Sequence, residues 1–121
     1  MTEVVSLHPQ NPEIRWLKRA ADILRAGGVV VYPTDSCYAL GAGIEHKAAM
    51  DRIAKIRDVD KHHNFTLVCR DLSEISRFAK VSNSQYRLLK AATPGAYTFI
   101  LEATREVPRR LAHHKRRTIG V

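Results

Sequence analysis

The sequence predicts a single mixed α/β domain over residues 1–121, and three observations lead to that fold class. The chain has 121 residues and a mass of 13.7 kDa, which suits one hydrophobic core. Apolar residues make up 45% and charged residues 26% of the chain, as in globular proteins rather than disordered tails. Segments with helical periodicity alternate with short β-branched runs, so we expect helices flanking a sheet.

The first predicted element is a helix over residues 12–26. Asn11 is a good N-cap, and Pro12 suits the first helical position, where its missing N–H is not needed. Apolar residues then recur at helical spacing. Gly27 and Gly28 predict a left-handed stop directly after the helix.

A strand and a second helix follow. Residues 29–32 are all apolar and mostly β-branched, which is typical of a strand buried on both faces. Residues 46–56 form an amphipathic segment and predict a helix. Its predicted inner face consists of Ala49, Met50, Ile53 and Ala54.

Two helices between strands are predicted for the second half of the chain. Residues 64–70 indicate a strand, and residues 71–74 and 82–85 are capping boxes that begin two helices. The sequence Thr93-Pro94-Gly95 ends the second of these helices. Residues 97–101 predict a strand, and residues 118–121 indicate the opening of another.

Positive charge is concentrated near the end of the chain. The net charge is +8, and residues 105–117 carry +5 of it, with six basic residues and one acid. Such a local field favours polyanions, namely nucleic acids, nucleotides or phosphorylated small molecules. The alternative is a solvated basic face without a ligand. The candidate nucleic-acid contacts are Arg109, Arg110, Lys115, Arg116 and Arg117, named here the basic cluster.

The composition argues against a membrane protein and against a metal site. No apolar run approaches a membrane span, and the N-terminus lacks a leader pattern, so a cytoplasmic location is predicted. Cys37 and Cys69 give neither a metal spacing nor a disulfide framework, so we expect reduced thiols. The adjacent histidine pairs at 62–63 and 113–114 also lack a metal-ligand spacing. We therefore expect no metal held by protein ligands alone.

Polar residues follow the first predicted strand, with hydroxyls at Thr34 and Ser36, a carboxylate at Asp35 and a thiol at Cys37. The loop after a strand is where open α/β sheets hold ligands, so this segment could bind a polar small molecule. The alternative is a turn in which Asp35 and Ser36 bond their own backbone.

Lys55 and Arg57 form a second candidate site, for phosphate. Side chains two positions apart diverge on a helix, so both cations can reach one anion only if the helix has ended before them. The polar, non-periodic segment 58–63 permits that ending. Surface charge without a ligand is the alternative.

Five ordered segments carry a further pattern: residues 33–41, 55–57, 64–67, 94–101 and 118–121. In this order they resemble the successive motifs of the YrdC/YciO family, which includes the threonylcarbamoyl-AMP synthases. The sequences His-Asn-Phe-Thr-Leu and Pro-Gly-Ala-Tyr-Thr-Phe look closer to the YciO branch of that family.

The resemblance implies a YrdC-like twisted mixed sheet with flanking helices around a basic cavity. It also implies condensation of L-threonine, bicarbonate and ATP into threonylcarbamoyl-AMP and pyrophosphate, for tRNA modification. Mg²⁺ would accompany ATP, with no tightly bound cofactor. A module that binds tRNA or double-stranded RNA without chemistry is the alternative function.

The resemblance also assigns roles to individual residues. Thr34 would contact threonine, Lys55 and Arg57 would act catalytically by holding the phosphates, and Asn64 and Thr98 would contact the nucleotide. No side-chain nucleophile is required, because fixed cations stabilise the charge that develops in both chemical steps.

Three departures from the synthases are present. Phe65 replaces their Pro, and the segment from Arg57 to Asn64 is longer than theirs. Cys69 stands at their threonine-contacting His and is a weaker hydrogen-bond partner. Family members also continue into an Arg-x-Pro segment and a Ser-x-Asn motif, so we expect a further C-terminal part that completes the ATP site.

Overall fold

The structure is a computed structural model that describes residues 2–59, 64–113 and 115–121. The chain divides into two compact units, residues 1–60 and residues 61–121. The helices and strands are, in order, α1 (Ile14–Arg25), β1 (Val30–Pro33), β2 (Tyr38–Gly41), α2 (Lys47–Arg57), α3 (Leu72–Phe78), α4 (Asn83–Ala92), β3 (Ile100–Glu102) and β4 (Thr118–Gly120). The mixed α/β class is confirmed, while one domain over residues 1–121 stays a prediction.

Helix α1 of the first unit begins later than its sequence suggests. Glu13 is the N-cap, and no side chain caps the helix, so the predicted cap by Asn11 is wrong. The C-terminal stop is confirmed, because Gly27 has φ +88° and the Gly28 N–H donates to the Ile23 carbonyl at 2.8 Å. No residue of α1 is fully buried.

Strands β1 and β2 form an antiparallel hairpin, with Val30 opposite Gly41 and Pro33 opposite Tyr38. Burial alternates along β1, and Val31 keeps 61% of its surface exposed. The prediction of a strand buried on both faces is therefore wrong, because an apolar run alone does not say whether anything covers its second face.

Helix α2 buries one face, and its core residues are Ala49, Met50 and Ile53. The fourth predicted inner residue, Ala54, is half-buried. The helix ends one residue beyond the predicted range of 46–56. Arg57 is therefore still helical, so helix geometry sets its direction relative to Lys55 in the predicted phosphate site.

The caps of α3 and α4 follow their sequence signatures closely. Asp71 accepts from the Glu74 N–H at 2.9 Å, but the Glu74 carboxylate accepts from the Arg70 N–H instead of closing a full capping box. The box of α4 is complete: Ser82 Oγ accepts from the Gln85 N–H at 3.2 Å, and Gln85 Oε1 accepts from the Ser82 N–H at 2.8 Å.

The second unit is built on a small mixed sheet. Strands β3 and β4 are antiparallel; Thr66 bridges Gly120 in parallel on the other side of β4, and Ala79 bridges Ala103 on the other side of β3. The predicted strand over residues 64–70 is thus reduced to one bridge, and the strand predicted at 97–101 is observed at 100–102. The core of this unit contains Ile75, Phe78, Ala79, Leu89, Leu101, Val107, Leu111 and Ile119.

Candidate functional site

The hydroxyl of Thr34 closes the turn between β1 and β2. It donates to the Cys37 carbonyl and accepts from the N–H groups of Ser36 at 3.3 Å and Cys37 at 3.2 Å. The predicted turn is therefore observed, but Thr34 makes the backbone bonds that were expected of Asp35 and Ser36. A substrate that bound this hydroxyl would replace one of them, and the contact of Thr34 with threonine stays a prediction.

Lys55 and Arg57 both lie in the last turn of α2, which is unbroken through Arg57. The expectation that the helix has ended before these residues is wrong. Each helical residue turns by about 100°, so the two side chains leave the helix about 200° apart. Arg57 continues the stripe of the buried residues Met50 and Ile53, whereas Lys55 lies on the opposite side. The structure thus does not bring the two cations together.

The end of α2 explains why the helix continues so far. Asp58 adopts the left-handed conformation with φ 54°, and its N–H donates to the Lys55 carbonyl at 3.2 Å. The Val59 N–H donates to the Ala54 carbonyl at 3.0 Å, which completes a Schellman-type C-cap. Because cations are favourable near a helix C-terminus, Lys55 also stabilises this helix end.

Three of the five motif segments meet at β4 in the second unit. The Leu67 N–H donates to the Gly120 carbonyl at 2.8 Å, which joins segment 64–67 to β4. On the other side, Phe99 and Val121 exchange backbone hydrogen bonds at 2.8 and 2.9 Å. Asn64 and Thr98, the two predicted nucleotide contacts of this unit, therefore lie on the two neighbours of one strand.

Gly120 of β4 lies between the segments that contain Asn64 and Thr98. A β-carbon at this position would lie 3.1 Å from Thr66 Oγ1 and 3.4 Å from Thr98 Cγ2, so both threonine side chains lie over the glycine on one face of the sheet. Asn64 shares that face because extended residues alternate and both Asn64 and Thr66 are exposed. The sequence analysis missed Thr66 and Gly120, although glycine within a strand indicates a close approach.

Cys69 is half-buried in the same unit, and Cys37 in the first unit is exposed; both are free thiols. Burial raises the pKa of the Cys69 thiol, and the negative charges of Glu74 and Asp71 raise it further. Cys69 is therefore a neutral, weakly hydrogen-bonding thiol at neutral pH. Its contact with a substrate stays a prediction.

All five side chains of the basic cluster are exposed. Arg117 has φ 54°, and its N–H donates to the His113 carbonyl at 2.8 Å. His113 also organises this loop through its ring, a role that the sequence analysis missed because it considered histidine only as a metal ligand. His114 lies outside the described residues.

The whole net charge belongs to the second half of the sequence. Residues 1–60 contain eight basic and eight acidic residues, so residues 61–121 carry the full +8. Three of the four acidic residues of that half accept a bond from a basic side chain: Asp71 from Arg70, Glu102 from Lys80, and Glu106 from Arg77, whereas Glu74 accepts from the backbone N–H of Arg70. The Lys80 ammonium, bonded at 2.7 Å, holds the pKa of the Glu102 carboxyl below its ordinary value, and Arg117 adds to this effect.

Two searches of the described residues gave negative results. No group of three or more His, Cys, Asp or Glu among residues 2–59, 64–113 and 115–121 could hold a metal ion. No helix in the same ranges is long and apolar enough to cross a membrane. The histidines at 62 and 63 lie outside the described residues.

A family model matches most of the chain. The family model Sua5_yciO_yrdC, whose description is telomere recombination, matches residues 22–121. The chain belongs to the Sua5/YciO/YrdC family. The resemblance inferred from the sequence is thereby confirmed.

Family relatives include proteins with and without an assigned activity. An uncharacterized protein of Haemophilus influenzae is 57% identical over 121 residues, covering 100% of this chain and 58% of that protein. The uncharacterized protein YciO of Escherichia coli K12 is 56% identical, with 59% of its length covered. A threonylcarbamoyl-AMP synthase of Chromobacterium violaceum is 37% identical over 110 residues, covering 88% of this chain and 57% of that protein. The chain thus spans less than two thirds of these relatives.

Two solved structures of the Sua5/YciO/YrdC family match the fold. The crystal structure of E. coli YciO has a TM-score of 0.92 at 57% identity, covering 99% of this chain and 58% of that one. The crystal structure of P. abyssi Sua5 complexed with L-threonine has a TM-score of 0.83 at 25% identity, covering 92% and 33%. The predicted YrdC-like fold is confirmed, and the basic cavity stays a prediction.

Proposed function

We propose that this protein binds ATP and belongs functionally with the threonylcarbamoyl-AMP synthases. The observation that carries the proposal is the meeting of three motif segments at β4, with Asn64 and Thr98 on the neighbours of that strand. Thr66 and Thr98 are exposed, and neither hydroxyl bonds a described residue. They can therefore bond a ligand without breaking existing structure.

The proposed reaction converts L-threonine, bicarbonate and ATP into threonylcarbamoyl-AMP and pyrophosphate. The 37% identity to a protein named threonylcarbamoyl-AMP synthase supports this assignment, as does the TM-score of 0.83 to Sua5 complexed with L-threonine. Mg²⁺ would enter with ATP and bridge its phosphate oxygens. Arg57 would supply positive charge to the phosphates as negative charge develops.

The test is the release of pyrophosphate and AMP from ATP by the full-length protein. We expect release to need both threonine and bicarbonate, and to stop when either is omitted. Thr98→Val and Asn64→Ala should weaken ATP binding in calorimetry. Thr104→Val is a matched control, since that hydroxyl donates to the Arg77 carbonyl outside the motif segments. ATP turnover without dependence on threonine or bicarbonate would contradict the synthase assignment.

Cys69 offers a separate test of the amino-acid substrate. A neutral thiol holds a substrate hydroxyl more weakly than imidazole does, so we expect a high KM for threonine. Cys69→His should lower that KM, whereas Cys37→His should not. A KM unchanged by Cys69→His would exclude this position from threonine recognition.

A second candidate function is RNA binding by the basic cluster. The observation that favours it is the confinement of the +8 charge to residues 61–121, where three of the four acidic residues already bond basic side chains. Binding of tRNA would release counterions, so log Kd should change linearly with log salt. Replacing Arg109, Arg116 and Arg117 with Gln should flatten that slope, and replacing Arg15, Lys18 and Arg19 of α1 should not. Equal slopes for wild type and the first variant would leave the cluster as solubilising charge.

A further inference from the structure

The ring of His113 holds the backbone of the loop that carries three of the five residues of the basic cluster. Its Nδ1 atom accepts from the N–H groups of Lys115 at 3.2 Å and Arg116 at 3.1 Å. The His113 N–H donates to the Thr118 carbonyl at 2.8 Å, and the His113 carbonyl accepts from Arg117 at 2.8 Å. One residue therefore makes at least four hydrogen bonds across the loop before β4.

This geometry is that of an Asx motif, with histidine in place of Asn or Asp. In Asn the acceptor Oδ1 is one bond from Cγ, as Nδ1 is in histidine, so both reach the N–H groups two and three residues later. His8 makes the same pair of bonds, from Gln10 at 3.3 Å and Asn11 at 3.0 Å. The chain thus contains the motif twice, once beside cations and once away from the basic cluster.

The bonds to Nδ1 require one form of the ring. An atom that accepts two N–H bonds carries no proton, so His113 must be neutral, with its proton on Nε2. Protonation of Nδ1 would turn this acceptor into a donor that faces two other donors. The two loop bonds would then be lost.

The charged groups that neighbour His113 in the chain are cations. Lys115, Arg116 and Arg117 belong to its own loop, and Arg110 precedes it in the chain. Across β4, the Glu102 carboxylate is already bonded to Lys80 and also feels Arg117.

We propose that His113 is a positioning residue that orders the basic cluster in its neutral form and releases the loop when its ring is protonated. The loop then presents Lys115, Arg116 and Arg117 in one arrangement while the ring is neutral and in many arrangements once Nδ1 is protonated. The role in RNA binding rests on the second proposed function, whereas the ordering of the loop does not.

The decisive measurement is amide hydrogen exchange by NMR at Lys115 and Arg116, between pH 7.5 and 5.5. In the wild type, we expect protection relative to the intrinsic rate at each pH to fall about tenfold in acid, because each amide loses its acceptor. His113→Asn keeps an acceptor that does not titrate, so its protection should stay constant. His113→Ala should be unprotected at both pH values, and His8→Ala should leave Lys115 and Arg116 unaffected.

Equal protection of these amides in the wild type and in His113→Ala at pH 7.5 would overturn the proposal. Loss of protection in acid for His113→Asn as well would also overturn it, because the titrating group would then lie elsewhere.

Binding of a 20-base-pair RNA duplex at pH 7.5 then tests the consequence separately. His113→Ala should raise Kd about threefold, because the loop is no longer ordered before binding. The slope of log Kd against log salt should stay unchanged, because this variant removes no cation. His113→Asn should restore the affinity. An amide response with no RNA binding by any variant would remove the RNA function and leave the positioning role of His113 intact. An unchanged Kd in His113→Ala, when the wild type does bind, would overturn the part of the proposal that links loop order to binding.

Discussion

Lys55 and Arg57 occupy opposite sides of helix α2, about 200° apart, although the sequence places them only two positions from each other. Arg57 follows the buried stripe of Met50 and Ile53, and Lys55 faces away from it. One phosphate group cannot contact both side chains equally while the helix is intact. The two residues are therefore unequal candidates for phosphate binding.

We accordingly expect Arg57→Ala to weaken ATP binding about tenfold, which is about 1.4 kcal/mol, and Lys55→Ala to weaken it about twofold. Calorimetric titration at fixed ionic strength measures both changes. Arg52→Ala, which removes a cation from the same helix, is the control. Equal losses for Lys55→Ala and Arg57→Ala would mean that the end of α2 unwinds when ATP binds.

Gly27 predicts that stability depends on how well a residue at this position tolerates the left-handed conformation. Its φ of +88° disfavours any L side chain, and a β-carbon there would lie 3.3 Å from His46 Nδ1. Gly27→Ala should therefore lower the free energy of unfolding by about 1–2 kcal/mol in urea denaturation, and Gly27→Asn by less. An alanine variant as stable as the wild type would contradict the left-handed stop.

The caps of α3 and α4 should differ in their response to pH. Ser82→Ala should cost about 1 kcal/mol at any pH, because its hydroxyl does not titrate. The bond from the Glu74 N–H, followed by the charge and hydrogen bond of Arg70, lowers the pKa of the Asp71 carboxyl. That stabilisation is present above the ordinary pKa of Asp and is lost as the pH falls through the lowered value. Asp71→Asn should thus cost stability at pH 7 and little at pH 2, as checked by denaturant unfolding at both.

The ion pair of Lys80 and Glu102 should also stabilise the fold more at neutral pH than in acid. Because the pKa of Glu102 is lowered in the folded protein, the pair stabilises the fold at neutral pH and stops doing so in acid. Lys80→Met should lower the melting temperature at pH 7 and change it less at pH 3. Lys90→Met is a control on the surface of α4. A shift of equal size at both pH values would assign the effect to packing of the lysine stem.

The two thiols should react with an aromatic disulfide reagent at different rates. Cys37 is exposed, while Cys69 is half-buried and its pKa is raised. In the variants Cys69→Ser and Cys37→Ser, each of which keeps one thiol, we expect Cys37 to react about tenfold faster at pH 7.5. Faster reaction of Cys69 would show that its surroundings favour the thiolate.

Local signals in the sequence predicted local structure well. The glycines after α1, the capping box of Ser82 and the break at Thr93-Pro94-Gly95 act within a few residues, and all three are confirmed. The strand at residues 64–70 was overestimated, because its β-branched residues satisfy the pattern but only Thr66 has a bridging partner. Pairing depends on residues distant in sequence, which periodicity does not reveal.

The arrangement of the site residues was predicted for some residues and not for others, because it also depends on structure that the sequence pattern does not show. Asn64 and Thr98 came from motif resemblance, and the sheet brings their segments to one strand. The convergence of Lys55 and Arg57 depended on where α2 ends, and helix ends are uncertain by one or two residues from sequence. His113 was missed because the signal is a backbone geometry, with two N–H donors two and three residues later, rather than a residue pattern.

The central position of β4 constrains the order in which the second unit forms. Its partners at Thr66 and Phe99 are synthesised earlier, and Thr66 precedes Gly120 by more than fifty residues. Neither neighbour can complete its backbone bonding until residues 118–121 have left the ribosome, since chains emerge from the N-terminus onward. During translation the sheet that joins the three motif segments therefore assembles only after its middle strand appears.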